Sequence, residues 1–121
     1  MLHFTAIPRG SVVIILSRSG RSIEVVQMLG QLRSGRAKII AVTNTIDSPL
    51  ARQADVCLKL VARFDHQVSI SMYSALTLVG SLVASQALGR LDERLVRSLT
   101  ESLASTKRAM PSWQEQIEAM T

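Results

Sequence analysis

The chain of 121 residues has one cysteine, Cys57, and two histidines, His3 and His66. A lone thiol excludes an internal disulfide, and ligand-forming side chains are too few and too scattered for a metal site. Cys57 itself, inside the strand-like "DVCLKL", is read as a buried, inert thiol. Aromatics are equally scarce, at two Phe, one Tyr and one Trp. The core must therefore be aliphatic, and no aromatic platform exists for stacking nucleobases. The net charge is +5, but the arginines are dispersed from Arg9 to Arg108 without a block or a recognition-helix motif. The basic surface is read as solvated, and no nucleic-acid partner is expected. The longest apolar stretch, "SALTLVGSLVASQALG", carries Ser, Thr, Gly and Gln throughout, whereas a membrane span needs about 20 mostly apolar residues. The start lacks a basic segment followed by a long apolar core. A cytoplasmic chain with no membrane partner is the expectation.

What is present suits one small folded domain: 47% of residues are hydrophobic and 19% charged. Pro8 and Gly10 punctuate a lead-in over residues 1–10. Val12 to Leu16 is a continuous branched run, the pattern of a strand covered on both faces. From Ser22 the apolar positions Ile23, Val26, Leu29, Gly30 and Leu32 follow helical spacing as far as Arg33, and Ser34-Gly35 stops the helix. "KIIAVT" (38–43) is a second buried strand. Ser48 and Pro49 predict a short helical turn with Ser48 as N-cap and Pro49 at its first position. Residues 56–60 give a third strand. Residues 67–88 contain no proline and predict one long, mostly buried helix with small residues for close packing. Asp92 to Met110 predicts an amphipathic helix with Leu95, Leu99, Leu103 and Ala104 facing inward. Pro111 is expected to interrupt it, with a further short helical turn through Trp113, Ile117 and Met120. Strand and helix alternate, so the expected class is α/β, a three-layer αβα fold on a parallel sheet. Three strands make a thin sheet for that architecture.

The stretch "IILSRSGRSIEVV" (14–26) stands out, because a branched run ends abruptly in three serines, two arginines and a glycine. Ser17, Ser19 and Ser22 fall at the carboxyl end of the first strand and the start of the next helix. Open α/β sheets place their ligands there. The helix start offers unpaired N–H groups and a positive dipole end, and hydroxyls beside it complete a cradle for a phosphate oxyanion. Gly20 allows close backbone approach, and Arg18 and Arg21 add positive charge. The simpler alternative is that Ser19 or Ser22 merely caps the helix. Competing motifs fail on spacing. A dinucleotide fingerprint needs three spaced glycines and a Walker loop a lysine. An esterase elbow would place glycine where Ser17 stands.

These residues resemble a known family. "VVIILSRSGRSIEVV" is similar to the S-x-S-G-x-[ST]-x-[ED] loop of sugar isomerase (SIS) domains, which bind phosphosugars on a flavodoxin-like or Rossmann-like fold. The resemblance continues through "IIAVTNTIDSPLARQADVCLKL" and into "DHQVSISMYSALTLVGSLVA", and it covers roughly residues 10–90. The tail, "LVRSLTESLASTKRAMPSWQEQI", resembles the helical segment after the first module of two-module enzymes of the glucosamine-6-phosphate synthase and ketose–aldose isomerase type. The resemblance implies that Ser17, Arg18, Ser19, Gly20 and Ser22 hold a sugar phosphate, and that Val68 and Ser71 face the sugar. It implies a partial SIS domain at 11–90 and a helical segment at 91–121, with no cofactor. The departures are Arg21, where the family carries an acidic or small polar residue, and Met72, where some relatives carry Lys. A further departure is the missing strand, helix and Gly-Ser-Ser-type turn that normally open the module. A truncated module is therefore expected, completed by a homodimer or by a missing second SIS module.

Aldose–ketose isomerisation at C1–C2 needs a general base to carry a proton through an enediol. Glu24 is better read as a helix-dipole residue and Asp47 as a turn former, which leaves Asp65 and His66 as candidates. Two other readings stay open: a non-enzymatic phosphosugar sensor, and a dimerisation scaffold.

Overall fold

The computed structural model describes residues 7–62 and 70–120. Its elements run β1 (Val12–Leu16), α1 (Ile23–Ser34), β2 (Lys38–Thr43), α2 (Pro49–Gln53), β3 (Val56–Lys59), α3 (Ile70–Ala87) and α4 (Glu93–Glu118). The chain divides into two compact units, Met1–Ser81 and Leu82–Thr121.

In the first unit the three strands form a parallel sheet in the order β1-β2-β3. Val12 pairs with Lys38 through to Leu16 with Val42, and Ile40 with Val56 through to Thr43 with Lys59. Because side chains alternate along a strand, the apolar runs feed two separate cores. Val13, Ile15, Ile39 and Ala41 face Leu29 and Leu32 of α1 and Leu50 of α2. Ile14 and Val42 face Met72, Ala75, Leu76 and Val79 of α3. The expected three-layer αβα architecture is present. Strand order never reverses among the described strands, so both crossovers, α1 and α2, cover the same face. The opposite face receives α3, with Gly80 beside the flexible end of the Leu16 side chain. A Cβ there would fall 2.6 Å from Leu16 Cδ2.

Several local expectations need correction. The α1 stripe runs through Val25, Met28, Leu29 and Leu32, while Ile23, Val26 and Gly30 are exposed. Leu29 and Leu32 are buried as the spacing predicts; a three-four spacing admits two adjacent stripes that share them, and docking on the sheet adds Val25 and Met28 in place of Ile23 and Val26. The helix ends at Gly35, yet the left-handed residue is Arg36, with φ 56°. Ala37 N–H reaches back to Leu32 O at 3.0 Å to close the end. β1 is covered on both faces only at its centre, where Ile14 and Ile15 pack on opposite layers, while Val12 and Leu16 at its ends are exposed. All of β3 is exposed too, and Cys57 with it. Among the described strands β3 lies at the edge of the sheet, with a neighbour on one side only. Within α3 only Met72 is fully buried among the described side chains; Tyr73 and Leu78 are exposed, so the helix is covered along one stripe.

β3 begins at a small polar junction. Asp55 N–H donates to Ile39 O at 2.9 Å, and Ile39 N–H donates to Asp55 Oδ2 at 2.8 Å. Arg33 Nη1 and Lys38 Nζ sit 3.2 and 3.3 Å from the same carboxylate. The Ile39 N–H bond, helped by Lys38 and Arg33 and opposed by partial burial, holds the Asp55 carboxyl below its ordinary range.

In the second unit Gly89, at φ 65°, ends α3, and Asp92 caps α4 by accepting from Leu95 N–H at 2.8 Å. Pro111 lies inside α4 and does not interrupt it. Its ring removes one donor, and on this exposed helix water can satisfy the carbonyl left behind. No residue of α4 is fully buried. Leu95, Leu99 and Ala104 are half-buried, but Leu103 is 62% exposed and does not face inward. Among the described residues no helix is long and apolar enough to cross a membrane.

Candidate functional site

The turn from β1 to α1 lies at the carboxyl edge of the sheet, beside the turn from β2 to α2. Parallel pairing makes the two leave their strands side by side. Ser17 N–H still pairs with Val42 O at 3.0 Å, continuing the ladder. Beyond it the turns are stitched together. Thr43 Oγ1 donates to Arg18 O at 3.1 Å, Asn44 N–H donates to the same carbonyl at 3.2 Å, and Leu50 N–H donates to Gly20 O at 3.2 Å. Thr43 is fully buried and also accepts from Thr45 N–H at 3.3 Å. Asn44 reaches the other way. Its Nδ2 donates to Ala62 O at 3.2 Å, and its Oδ1 accepts from Ala62 N–H at 3.4 Å.

Within the serine turn, Ser17 Oγ accepts from Gly20 N–H at 3.1 Å and Ser19 Oγ from Arg21 N–H at 3.3 Å. Each hydroxyl thus has its oxygen held by the backbone and keeps its O–H proton to donate. Ser22 stands at the N-cap position of α1 with extended backbone, φ −62° and ψ 145°, but its side chain makes no cap bond. Simple capping is therefore not what Ser22 does here. The first intrahelical bond is Val26 N–H to Ser22 O, at 3.0 Å. The N–H groups of Ile23, Glu24 and Val25 consequently lack helical partners, at the positive end of a 12-residue helix. Ser17, Arg18 and Ser19 are half-buried, Gly20 is buried and Ser22 is exposed.

Gly20 has a specific reason to be glycine. Its φ is +60°, and a Cβ would lie 2.9 Å from Ser48 Cβ and 3.0 Å from Leu50 Cβ. The close approach is to the neighbouring turn, a demand that the sequence pattern alone assigned to a ligand. Ser48 is fully buried and caps α2 as expected, accepting from Ala51 N–H at 3.2 Å with Pro49 following. Arg21 does not turn toward the serines. It pairs with Asp47 at 3.4 Å, with both side chains largely exposed, where such a pair contributes little.

Ser71 is exposed in the first turn of α3, one residue before buried Met72, which packs with Val42 at the carboxyl half of β2. Asp65, His66 and Val68 lie outside the described residues. The structure therefore brings Ser17, Arg18, Ser19, Gly20 and Ser22 into one turn. It adds Thr43, Asn44 and Ser48, which sequence reasoning treated as a strand end, a loop residue and a cap. The available signal was a threonine closing the apolar run Ile39–Val42 and a serine fixed ahead of a proline.

The SIS domain family matches residues 2–86. The chain belongs to this family. Its SIS domain is 33% identical over 69 residues to a glutamine–fructose-6-phosphate aminotransferase [isomerizing] of Sulfurisphaera tokodaii, covering 57% of this chain and 11% of that protein. It is 32% identical over 79 residues to the protein of that name from Corynebacterium efficiens, covering 65% and 12%. The chain thus spans 11% to 12% of the length of these curated relatives. Among solved structures, a glucosamine-6-phosphate deaminase of Thermotoga maritima superposes on the SIS domain with a TM-score of 0.55 at 23% identity, covering 75% of this chain and 28% of that one. That likeness is one of fold.

Proposed function

We propose that this SIS domain binds a phosphosugar, with the phosphate in the turn formed by Ser17, Arg18, Ser19, Gly20 and Ser22. The supporting observation is that Ser17 and Ser19 have their oxygens held by the backbone while Ser22 is released from capping, so three hydroxyl donors stand beside N–H groups that lack helical partners. Oxyanions of a phosphate are what such a donor set complements. The names of the relatives, which concern fructose-6-phosphate and glucosamine-6-phosphate, are consistent with this ligand class. Ser71 and Val68 face the sugar on this reading. Residues 11–90 act as the ligand-holding module and 91–121 as a separate helical segment, with a second copy of the chain or a second SIS module as partner.

The test is thermal unfolding of the full chain with fructose-6-phosphate or glucosamine-6-phosphate, against inorganic phosphate and the unphosphorylated sugars. Ligand at about 100 times its Kd adds roughly 2.7 kcal/mol, and each kcal/mol moves the midpoint of a domain this small by several degrees, about 4–8 °C. The shift should be specific to the phosphosugars and lost in Ser19→Ala and Ser22→Ala. Because Ser22 caps nothing, Ser22→Ala should leave the ligand-free midpoint within about 0.5 kcal/mol of the parent. A cooperative transition that no phosphosugar moves refutes the proposal.

A further inference from the structure

The long helix α4 spends none of its side chains on a fully buried core. Its apolar residues nevertheless follow a strict alternation of three and four, relieved at a single threonine. Val96, Leu103, Met110 and Ile117 hold position a of a heptad, and Leu99, Thr106, Trp113 and Met120 hold position d. A helix serving a globular core carries a broader stripe with a period near 3.6, whereas a sustained 3.5 repeat is the seam of a coiled coil. Six of these positions, all except Leu99 and Thr106, are between 49% and 86% exposed. At about 200 Å² for a fully exposed large side chain, they present roughly 700 Å², close to the ~800 Å² per partner of a standard interface.

We propose that α4 pairs with α4 of a second copy of this chain as a parallel two-stranded coiled coil. A second copy offers the same repeat in the same length, and its charges permit the pairing. Of the flanking e and g positions between Thr100 and Gln116, only Lys107 is charged. In a parallel pair Lys107 faces Ser102 of the other copy. An antiparallel pair overlapping over the whole seam brings the two Lys107 ammonium groups together at its centre, which disfavours that arrangement. Pro111 falls at the flanking position b, and Glu101, Arg108 and Glu115 fall at the outer position f, so none of them enters the seam. The inference rests on the self-partner named in the functional reading, but not on its ligand.

Light scattering of the full chain in the absence of any sugar phosphate should give twice the chain mass. The double substitution Leu103→Glu and Ile117→Glu should halve that mass, and Glu101→Lys at the outer position should leave it unchanged. In a Cys57→Ser background, Leu103→Cys should form an intermolecular disulfide at least tenfold faster than Glu101→Cys under mild oxidation. This second measurement does not depend on the charged variant staying folded. A monomeric parent, a dimer that survives the seam charges, or equal cross-linking at the two positions overturns the pairing. A phosphosugar-induced thermal shift that persists in the seam variant separates failure of the pairing from failure of the ligand reading.

Discussion

Replacing Gly20 by alanine tests whether the serine turn is shaped by its neighbour. Two costs add. A non-glycine residue at φ +60° pays about 1–2 kcal/mol for the left-handed backbone. The new methyl would then sit 2.9 Å from Ser48 Cβ and 3.0 Å from Leu50 Cβ, both buried, and overpacking of that kind costs about 1–3 kcal/mol. The reduced freedom of the unfolded chain returns about 0.4–1 kcal/mol, so a net loss of about 1–4.5 kcal/mol is expected. A small domain has roughly 5–15 kcal/mol in all, and the loss should appear as a large drop in the urea midpoint at constant slope. Gly20→Asn separates the two costs. Asparagine tolerates the left-handed region but carries the same Cβ, so it should recover part of the loss and no more. An alanine variant within about 0.5 kcal/mol of the parent, on the scale of an ordinary surface change, would refute the close approach. An asparagine variant as stable as the parent would assign the whole effect to φ and remove the collision from the account.

The end of α1 and the start of β3 give two further expectations. Arg36, at φ 56°, holds the left-handed position that closes the helix. Arg36→Gly should therefore raise stability by about 0.5–1 kcal/mol after the entropic cost of glycine, and urea denaturation reads it. The Asp55 carboxyl is held below its ordinary range by the Ile39 N–H bond first and by Lys38 and Arg33 after it. Its contribution is then full above the unfolded carboxyl value of about 3.9 and is lost as pH falls through the lower folded value. Asp55→Asn should be less stable than the parent at neutral pH, with the gap closing in acid. Parallel stability curves for the two chains from neutral pH down to pH about 3 would exclude this role, since they would show no proton linkage at Asp55.

The strands and the Ser48-Pro49 helix start were legible because each rests on local chemistry. Branched residues make strands, and a serine before a proline makes a helix start. The position of the serine turn was legible for the same reason, as three hydroxyls and a glycine sit between a strand and a helix. The features that depend on neighbours were not legible. Which of two stripes α1 buries was decided by the sheet, and it left Ile23 and Val26 outside. Cys57 reads as core from its apolar surroundings in sequence, yet β3 lies at an edge. Pro111 reads as a break, but an exposed helix tolerates a missing donor. Thr43 and Ser48 left local signals in the sequence, a closing threonine and a serine before a proline, but only the fold set them and Asn44 beside the serine turn.

Asn44 turns that neighbourhood into a mechanical linkage. The carbonyl of Arg18 is gripped by Thr43 and Asn44, and the Asn44 amide grips both backbone polar groups of Ala62 from the far side. Three stretches distant in the chain thus share one short rod of hydrogen bonds. The backbone at residue 62 is thereby held at a fixed distance from the backbone at residue 18. The serine turn and the exit from β3 are consequently set by a common ruler, and a residue inserted after β2 would misplace both at once.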